Sequence, residues 1–400
     1  MTVETSHDFS AVIRPCRIHS GEGALDALGA EIARTGARRA FVLCGRSVAG
    51  TTDLLDRIRA QAGDRLAGVF DRIGKDTPLP DVLAATEAAR DAGADLLIAV
   101  GGGSVIQAAR VVAIYLAEDG TPESLATQYP EDAPAVSPRL NAPKMPIFNV
   151  PTIGTTAQNW GGSPVKGGKQ GHRLEYFDPK TRPTALFWDR AALATAPLSM
   201  VRATSGMLWW RSVMNMGYTS APVLVDANRR EVLSLATQVR DALARDDDSD
   251  RLRADLCLAT WLQNQDADRG GKLVNTWASR VTYAFAIGIF HRHAEVAQGA
   301  TTAALTCGVL RRLGHRDEDS VAAIATALGI PGMVPSAALA DQLARDFVSM
   351  GLPVNLTQLG IPQDSAGPVL EAAMQNYNSD PRREFRRERD LLAEVLAGCW

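Results

Sequence analysis

Three consecutive glycines and a serine, Gly101-Gly102-Gly103-Ser104, are the feature of the sequence best suited to holding an anion. A strand-like apolar run, 95–100, precedes them, and a helix-like run, 105–116, follows. Glycine lets a ligand approach the backbone closely, and a helix N-terminus presents unpaired N–H groups to negative charge. The spacing predicts a pyrophosphate cradle, with a purely structural tight turn as the alternative.

A second polar turn, Pro151-Thr152-Ile153-Gly154-Thr155-Thr156, follows another strand-like run at 146–150. Ligands in open α/β sheets bind outside the carboxyl ends of the strands. Two glycine-bearing turns at such ends favour a nucleotide site more strongly than either turn does alone.

The elements that must position these turns alternate along the first half of the chain. Short apolar runs at 39–44, 67–70, 95–100 and 146–150 predict strands, and 82–92 and 105–116 predict helices. Such alternation is typical of a parallel sheet with crossover helices. From about Pro197 onward the apolar period is helical, at 233–244, 251–263, 300–313, 320–328 and 337–350. We expect an α/β domain at 1–190 and an all-helical domain at 191–400.

Composition narrows the classes of partner. The chain has 400 residues, 46% of them apolar, and a net charge of -3, which gives no basic surface for nucleic acid. Its apolar runs are too short to cross a membrane, and its first ten residues lack the pattern of a secretory signal. Five cysteines without a CxxC pair predict a reducing compartment, and we expect a cytoplasmic protein.

Taken together, these features resemble the iron-containing alcohol dehydrogenases, which have the dehydroquinate-synthase-like architecture, and among them the maleylacetate reductases. Further similar stretches are Thr77-Pro78, the segment 182–207 and the triplet His293-Ala294-Glu295. The resemblance implies a Rossmann-like α/β domain, a helical domain, and a cleft between them in which a nicotinamide cofactor meets the substrate. It also implies a homodimer.

The resemblance assigns cofactor contacts to both turns and to the end of the first strand. After that strand, Gly45-Arg46-Ser47 stands where NAD-specific relatives often carry an Asp, and a guanidinium suits a 2′-phosphate, so NADP is preferred over NAD. The implied cofactor-binding residues are Gly45, Arg46, Ser47, Gly101, Gly102, Gly103, Ser104, Gln107, Thr152, Thr155 and Thr156.

Two departures concern the same turns. Gln107 and Arg110 stand where relatives have Asp and Lys, and Thr156-Ala157-Gln158 replaces Gly-Ser-Glu.

The metal site is the main departure from the family. Relatives hold a divalent metal with an Asp and a His four residues apart on one helix, followed by two later His; here the first pair is Leu208 and Ser212. For the later pair, anchoring the alignment on His-Ala-Glu gives Ser279 and His293, whereas anchoring it on Gln298-Gly299 gives Ala284 and Gln298. At most one of four ligands survives, and a metal needs three or four, so we expect no metal.

Without a metal, side chains must supply the proton and hold the substrate. Tyr283 is a candidate phenolic acid, and His293, with His291 beside it, is a candidate donor or base. Arginines are candidates for clamping a carboxylate. They are Arg280, Arg211 and Arg292.

Lys169, which aligns loosely with a lysine of the family, and His172 follow the Pro-Thr turn in a stretch expected near the cleft, although a solvent-exposed role for Lys169 is an equal alternative.

Three functions remain open at this point. The first is a metal-independent NAD(P)H-dependent reductase of a small carbonyl compound or unsaturated acid, with an anionic small molecule as substrate. The second is a non-redox enzyme, a lyase, cyclase or transferase, repurposed on the same fold. The third is a non-catalytic binding or scaffold protein.

Overall fold

A computed structural model describes residues 4–130, 133–167, 173–271, 276–330 and 335–400. The chain divides into two compact units, one formed by residues 14–197 and the other by residues 1–13 with 198–400. The α/β unit thus ends at residue 197 rather than at the expected 190, and residues 4–13 group with the helical unit rather than with the α/β unit that follows them.

The described strands are short, as expected for strands that alternate with helices. In chain order they are β1 (Glu4–Ser6), β2 (Arg17–Gly21), β3 (Ala40–Cys44), β4 (Leu66–Phe70), β5 (Leu96–Gly101), β6 (Ile147–Pro151), β7 (Gly162–Val165), β8 (Leu174–Phe177), β9 (Ala185–Asp189) and β10 (Ser220–Pro222).

The helices of residues 14–197 are α1 (Leu28–Thr35), α2 (Arg46–Thr51), α3 (Leu54–Ala62), α4 (Leu79–Asp91), α5 (Gly103–Ala117), α6 (Pro122–Leu125) and α7 (Arg190–Ala194). Those of the other unit are α8 (Leu198–Met214), α9 (Val223–Ala244), α10 (Asp250–Leu262), α11 (Gln265–Asp268), α12 (Trp277–Arg292), α13 (Gln298–Leu313), α14 (Glu318–Ala327), α15 (Ser336–Ser349), α16 (Ala366–Met374) and α17 (Arg389–Ala397).

The α/β unit is built on one parallel sheet. Within the described residues its order is β2-β9-β6-β5-β3-β4, and every neighbouring pair is parallel. Alternate side chains enter opposite faces: Leu97 and Ala99 pack in one apolar cluster, and Leu96 and Ile98 in the other. Helices cover both faces, so the predicted α/β fold with a parallel sheet is confirmed.

The order of the strands creates a switch point between β3 and β5. The chain leaves β3 toward β4 on one side and leaves β5 toward β6 on the other. Loops that diverge in this way open a crevice at the carboxyl ends of the two strands, which is where open α/β sheets bind their ligands.

Asp189 fastens the far side of this sheet. Its fully buried carboxylate accepts two hydrogen bonds from Arg57 at 2.9 Å and one each from the amides of Leu25 and Ala192 at 3.1 Å. The residue therefore joins the end of β9 to α3 and to the start of α7.

The second unit is almost entirely helical, as the 3.6-residue periodicity predicts, and the five predicted helical stretches fall in α9, α10, α13, α14 and α15. Its one described sheet is the parallel pair β1–β10, in which Glu4 lies opposite Ser220. Helices α8 and α13 approach unusually closely, since a Cβ on Gly299 would lie 1.7 Å from the Ala203 carbonyl oxygen. Among the described residues, no helix is long and apolar enough to cross a membrane.

Candidate functional site

The glycine loop has the geometry expected of an anion cradle. β5 ends at Gly101, and α5 begins two residues later, with Gly102 as an N-cap that has no side-chain hydrogen bond. Gly101 has a φ of 151°, and a Cβ there would lie 2.9 Å from a methyl group of Val105, so only glycine fits. The first turn of α5 carries no acidic side chain, which leaves its N-terminus suited to negative charge.

The Pro-Thr turn packs directly against this loop. The Thr152 amide donates to the Gly101 carbonyl at 3.2 Å, and a Cβ on Gly103 would lie 3.3 Å from Thr155 Oγ1. Thr155 Oγ1 accepts from the Ala157 amide, and Thr156, half-buried, begins the short 3-10 turn that follows. The two turns therefore form one continuous surface at the carboxyl ends of β5 and β6.

A third loop, which the sequence did not assign to the site, supports the same helix turn. Asp76 and Thr77 are buried and have positive φ values of 64° and 54°. The Asp76 amide donates to Ser104 Oγ at 3.0 Å, and Thr77 Oγ1 is 3.0 Å from the Ser104 carbonyl and 3.2 Å from Gln107 Oε1. Residues with strained backbone conformations of this kind cluster at functional sites. Thr77-Pro78 is also one of the stretches that resemble the iron-containing alcohol dehydrogenases. Gln107, predicted to contact the cofactor, is engaged by this loop.

The end of β3 lies at the switch point. Gly45 caps α2, and Arg46 and Ser47 are exposed in its first turn. Within the part of the chain that the structure describes, Arg46 makes no hydrogen bond or ion pair. Arg46 is therefore an exposed, uncommitted guanidinium at the carboxyl end of β3, next to the β3/β5 crevice.

Arg110 has a structural role. It is buried, and its guanidinium donates to Ser163 Oγ and the Gly162 carbonyl at 2.8 Å, and to the Ala157 carbonyl. Burial lowers the pKa of Arg110, and the positive charge of Arg182 acts in the same direction. The positive charge is therefore used to hold the β7 strand and the Pro-Thr turn against α5.

In the helical unit, the first two positions of the family's metal site lie in the core. Leu208 and Ser212 are buried on α8, and Ser212 Oγ donates to the Leu208 carbonyl at 2.7 Å. The Gln263 amide nitrogen donates to the Leu208 carbonyl at 3.0 Å and to Ser212 Oγ at 2.9 Å. This helix face is closed by side chain–backbone hydrogen bonds, and leucine offers no atom that could coordinate a metal.

The later pair gives no ligand set in either alignment. Ser279 lies in the first turn of α12, where its amide donates to Oγ1 of the N-cap residue Thr276 at 3.1 Å and its own Oγ donates to the Thr276 carbonyl at 3.0 Å. Ala284 is buried and cannot coordinate, and Gln298 begins α13. Across the described residues, no group of three His, Cys, Asp or Glu side chains could hold a metal ion.

Arg280 is not available as a substrate clamp, contrary to our expectation. Its three guanidinium nitrogens donate to the Ser379 carbonyl, Asp380 and Glu384, all at 2.7 Å. Its guanidinium also lies over the rings of Trp277 and Phe385. The side chain binds the C-terminal segment to α12, and each of its three nitrogens already donates to a group of that segment.

The two candidate histidines lie at the C-terminal end of α12, away from Tyr283. His293 Nε2 is 3.2 Å from Ser365 Oγ, and Nδ1 is 3.4 Å from Glu295. His291 is half-buried in the last helical turn, with its ring 5.4 Å from that of Phe290. Ten residues of helix rise separate Tyr283 from His293, or about 15 Å, so the structure does not bring these candidates together.

Tyr283 instead has Arg211 as a neighbour. The two side chains, on α12 and α8, are close enough to interact electrostatically. Arg211 is half-buried, with Nη1 3.2 Å from Asn264 Oδ1 and Nη2 3.2 Å from the Gln263 carbonyl. Of the residues proposed for protonation and anion binding, Tyr283 and Arg211 are therefore within electrostatic range of each other. Lys169 and His172 lie outside the described residues.

Comparison with known proteins places these features in context. The family model described as "Iron-containing alcohol dehydrogenase" matches residues 15–190, which is nearly the whole α/β unit. Maleylacetate reductase 2 of Cupriavidus pinatubonensis is 42% identical over 109 residues, 27% of this chain and 30% of that protein. Maleylacetate reductase of Burkholderia cepacia is 26% identical over 392 residues, 95% of this chain and 94% of that protein.

Solved structures share the fold over the full length. The NADH-dependent butanol dehydrogenase A of Thermotoga maritima superposes with a TM-score of 0.82 at 18% identity, covering 98% of this chain and all of that one. At this level of identity the similarity shows the two-domain fold, which agrees with the predicted dehydroquinate-synthase-like architecture.

Proposed function

We propose that this chain, which belongs to the iron-containing alcohol dehydrogenase superfamily, is an NAD(P)H-dependent reductase of a small carbonyl compound or unsaturated acid. The observation that carries the proposal is the strand–glycine loop–helix beside the β3/β5 switch point, inside the segment that matches the family. The curated relatives it matches over almost their whole length are maleylacetate reductases, which favours an acid as substrate.

The α/β unit binds the cofactor. The first-turn amides of α5 and the backbone at Gly102 receive the pyrophosphate, because the glycines leave no side chain between an anion and the helix N-terminus. The turn carrying Thr152 and Thr155 lines the same surface. When bound, the nicotinamide supplies a hydride to the substrate carbon.

Tyr283 supplies the proton. Reduction of a carbonyl adds hydride at carbon and a proton at oxygen, and the oxidised cofactor and an alcohol are the products. The phenol is an acid of the right type, and the Arg211 cation, which lies within electrostatic range, favours the phenolate left behind. His293 is a weaker candidate because Ser365 and Glu295 already contact both of its ring nitrogens.

The reaction proceeds without a protein-bound metal in this proposal. Two observations support this part of the proposal. Leu208 and Ala284, at ligand positions, have no atom that can coordinate a metal, and Ser212 and Ser279 use their hydroxyl groups in hydrogen bonds to the backbone. We expect dialysis against EDTA to leave the rate unchanged and elemental analysis to find substoichiometric zinc and iron. Loss of activity that Zn²⁺ or Fe²⁺ restores would contradict it.

NADP is the preferred cofactor in this proposal, through Arg46. Replacing Arg46 with Ala removes a charge-assisted contact with the 2′-phosphate, so the dissociation constant for NADPH should rise about tenfold and that for NADH should change little. Arg65→Ala is the matched control, since this exposed arginine lies just before the amino end of β4. Equal losses for both cofactors would argue against a 2′-phosphate contact.

The function itself is tested by titrating purified protein with NADPH and NADH, followed by fluorescence, and then by supplying 2-oxo, 4-oxo and unsaturated acids. We expect binding, and oxidation of the cofactor with at least one acid, and Tyr283→Phe should lower kcat while cofactor binding persists. Absence of binding for both cofactors would overturn the proposal, and turnover of an acid without cofactor oxidation would favour the non-redox alternative.

A further inference from the structure

The surroundings of Arg211 on α8 lack a counter-ion. Its guanidinium is half-buried, and its two hydrogen-bond acceptors are the neutral oxygens of Asn264 and Gln263, both 3.2 Å away. No carboxylate lies within ion-pair distance of Arg211 among the described residues. Burial lowers the pKa of this guanidinium, while the more distant Asp266 and Tyr283 oppose the shift.

The nearby carboxylate of Asp266 is committed elsewhere. Its Oδ2 accepts from Arg229 at 2.7 Å, and its Oδ1 accepts from Asn228 at 2.8 Å. A third arginine, Arg269, donates to Asn228 Oδ1 at 2.7 Å, so a further cation lies close to Asp266. Removing a cation from water without an opposite charge is costly, which makes such a site attractive to an anion.

We propose that Arg211 is the anchor for a substrate carboxylate, and that the substrate class is therefore small carboxylic acids rather than neutral aldehydes. This inference rests on the proposed reductase function and adds the group that is recognised. The guanidinium fork matches a carboxylate in shape and charge, and two of its N–H groups are held by long, neutral contacts that a carboxylate outcompetes. Tyr283, the proposed proton donor, lies within electrostatic range of the same guanidinium.

Binding of maleate and of its neutral dimethyl ester to the wild-type protein, measured calorimetrically both without and with NADP⁺, tests the anchor without requiring turnover. We expect maleate to bind and the ester to bind at least tenfold more weakly. Arg211→Gln should weaken maleate binding about 10- to 100-fold, and Arg211→Lys, which keeps the charge but not the fork, should lie between. Arg269→Gln, which removes another half-buried arginine of the same cluster, should leave maleate binding within threefold.

Kinetics separate this inference from the function on which it rests. In Arg211→Gln, KM for the acid should rise while NADPH binding keeps its wild-type value. If the wild type binds neither NADPH nor NADH, the reductase proposal fails. The comparison of maleate with its ester still tests whether Arg211 binds a carboxylate. Equal binding of maleate and ester to the wild type, or unchanged maleate binding in Arg211→Gln, would overturn the inference. If Arg211→Gln does not fold, the ester comparison and Arg211→Lys decide it.

Discussion

Arg211 and Arg280 have different surroundings in the folded helical unit, although each lies within a few residues of a position that aligns with a metal ligand of the family. Arg280 is satisfied at all three nitrogens by groups about 100 residues further along the chain. Arg211 contacts only neutral oxygens. Whether an arginine can bind a ligand depends on which groups the fold places around its guanidinium. For these two side chains, those groups lie far away in the sequence.

We therefore expect the Arg280→Met variant to lose stability rather than catalytic activity. The change leaves the buried Asp380 carboxylate without its cation, and removal of one partner of a buried pair costs about 3 kcal/mol of the free energy of unfolding. Chemical denaturation measures it, and kcat/KM of the remaining folded enzyme should be unchanged. Arg382→Met is the control, because this exposed arginine is 3.9 Å from the same Glu384 and should cost nothing measurable. A fall in kcat/KM for Arg280→Met alone would restore Arg280 as a site residue.

The glycine loop allows a second test at this scale. Gly101→Ala should lower the melting temperature, since alanine resists a φ of 151° and its Cβ would lie 2.9 Å from Val105. Gly102→Ala should melt as the wild type does, because the nearest side-chain atom to its Cβ is at 3.7 Å, yet it should bind NADPH at least tenfold more weakly. Wild-type NADPH affinity in Gly102→Ala would mean that the loop is only a structural turn.

At the scale of elements, the sequence was informative where apolar runs are continuous. The strands β3, β4, β5 and β6 and the helices α4 and α5 all lie where the pattern predicts them. The edge strand β2 was missed because it is half-exposed and reads Arg-Ile-His-Ser-Gly, which leaves no apolar run. The fully buried β9 could have been found, because Ala-Leu-Phe-Trp-Asp is a short apolar run of the usual strand length.

The residues of the candidate site also fall into a group that the sequence predicts and a group that it does not. Gly101–Ser104 and the Pro-Thr turn were predictable because each lies next to a recognisable strand in the sequence. The contacts of Asp76 with Ser104, and of His293 with Ser365, join residues 28 and 72 positions apart. Contacts of this kind depend on how strands and helices are ordered in space, and the local periodicity of apolar residues does not predict that order.

The carboxylate at the end of β9 gives a prediction that depends on pH. Burial alone would raise the pKa of Asp189, but Arg57 and the amides of Leu25 and Ala192 outweigh it, so its pKa is lowered. Its contribution to stability is present above the unfolded-state pKa of about 3.9 and is lost as the pH falls through the lower folded value. Asp189→Asn should destabilise the protein by about 3 kcal/mol at pH 7, and the gap from wild type should shrink below about pH 4. A gap in melting temperature that does not change with pH would contradict this account.

At the scale of the whole molecule, we propose a homodimer that covers residues 4–13. Phe9, Val12 and Ile13 expose apolar side chains, and Ile13 is 95% exposed. Beside them, β1 pairs with β10 alone among the described strands, which leaves an open edge that a second copy could extend. Light scattering should give twice the chain mass, and Ile13→Asp should shift the protein toward the monomer. Val348→Asp, at another exposed apolar position, should not, and a monomeric wild type would refute the proposal.

The grouping of residues 4–13 with 198–400 also has a consequence for synthesis. The chain enters the α/β unit at residue 14 and leaves it at 197, and every strand of the six-stranded sheet lies between those points. At a synthesis rate of roughly 5–20 residues per second, all six strands of this sheet are therefore made about 10 to 40 s before the last helices of the chain. At the start of that interval β1 has no partner strand, and the proposed cofactor would stabilise the nascent α/β unit before the helical unit has been made.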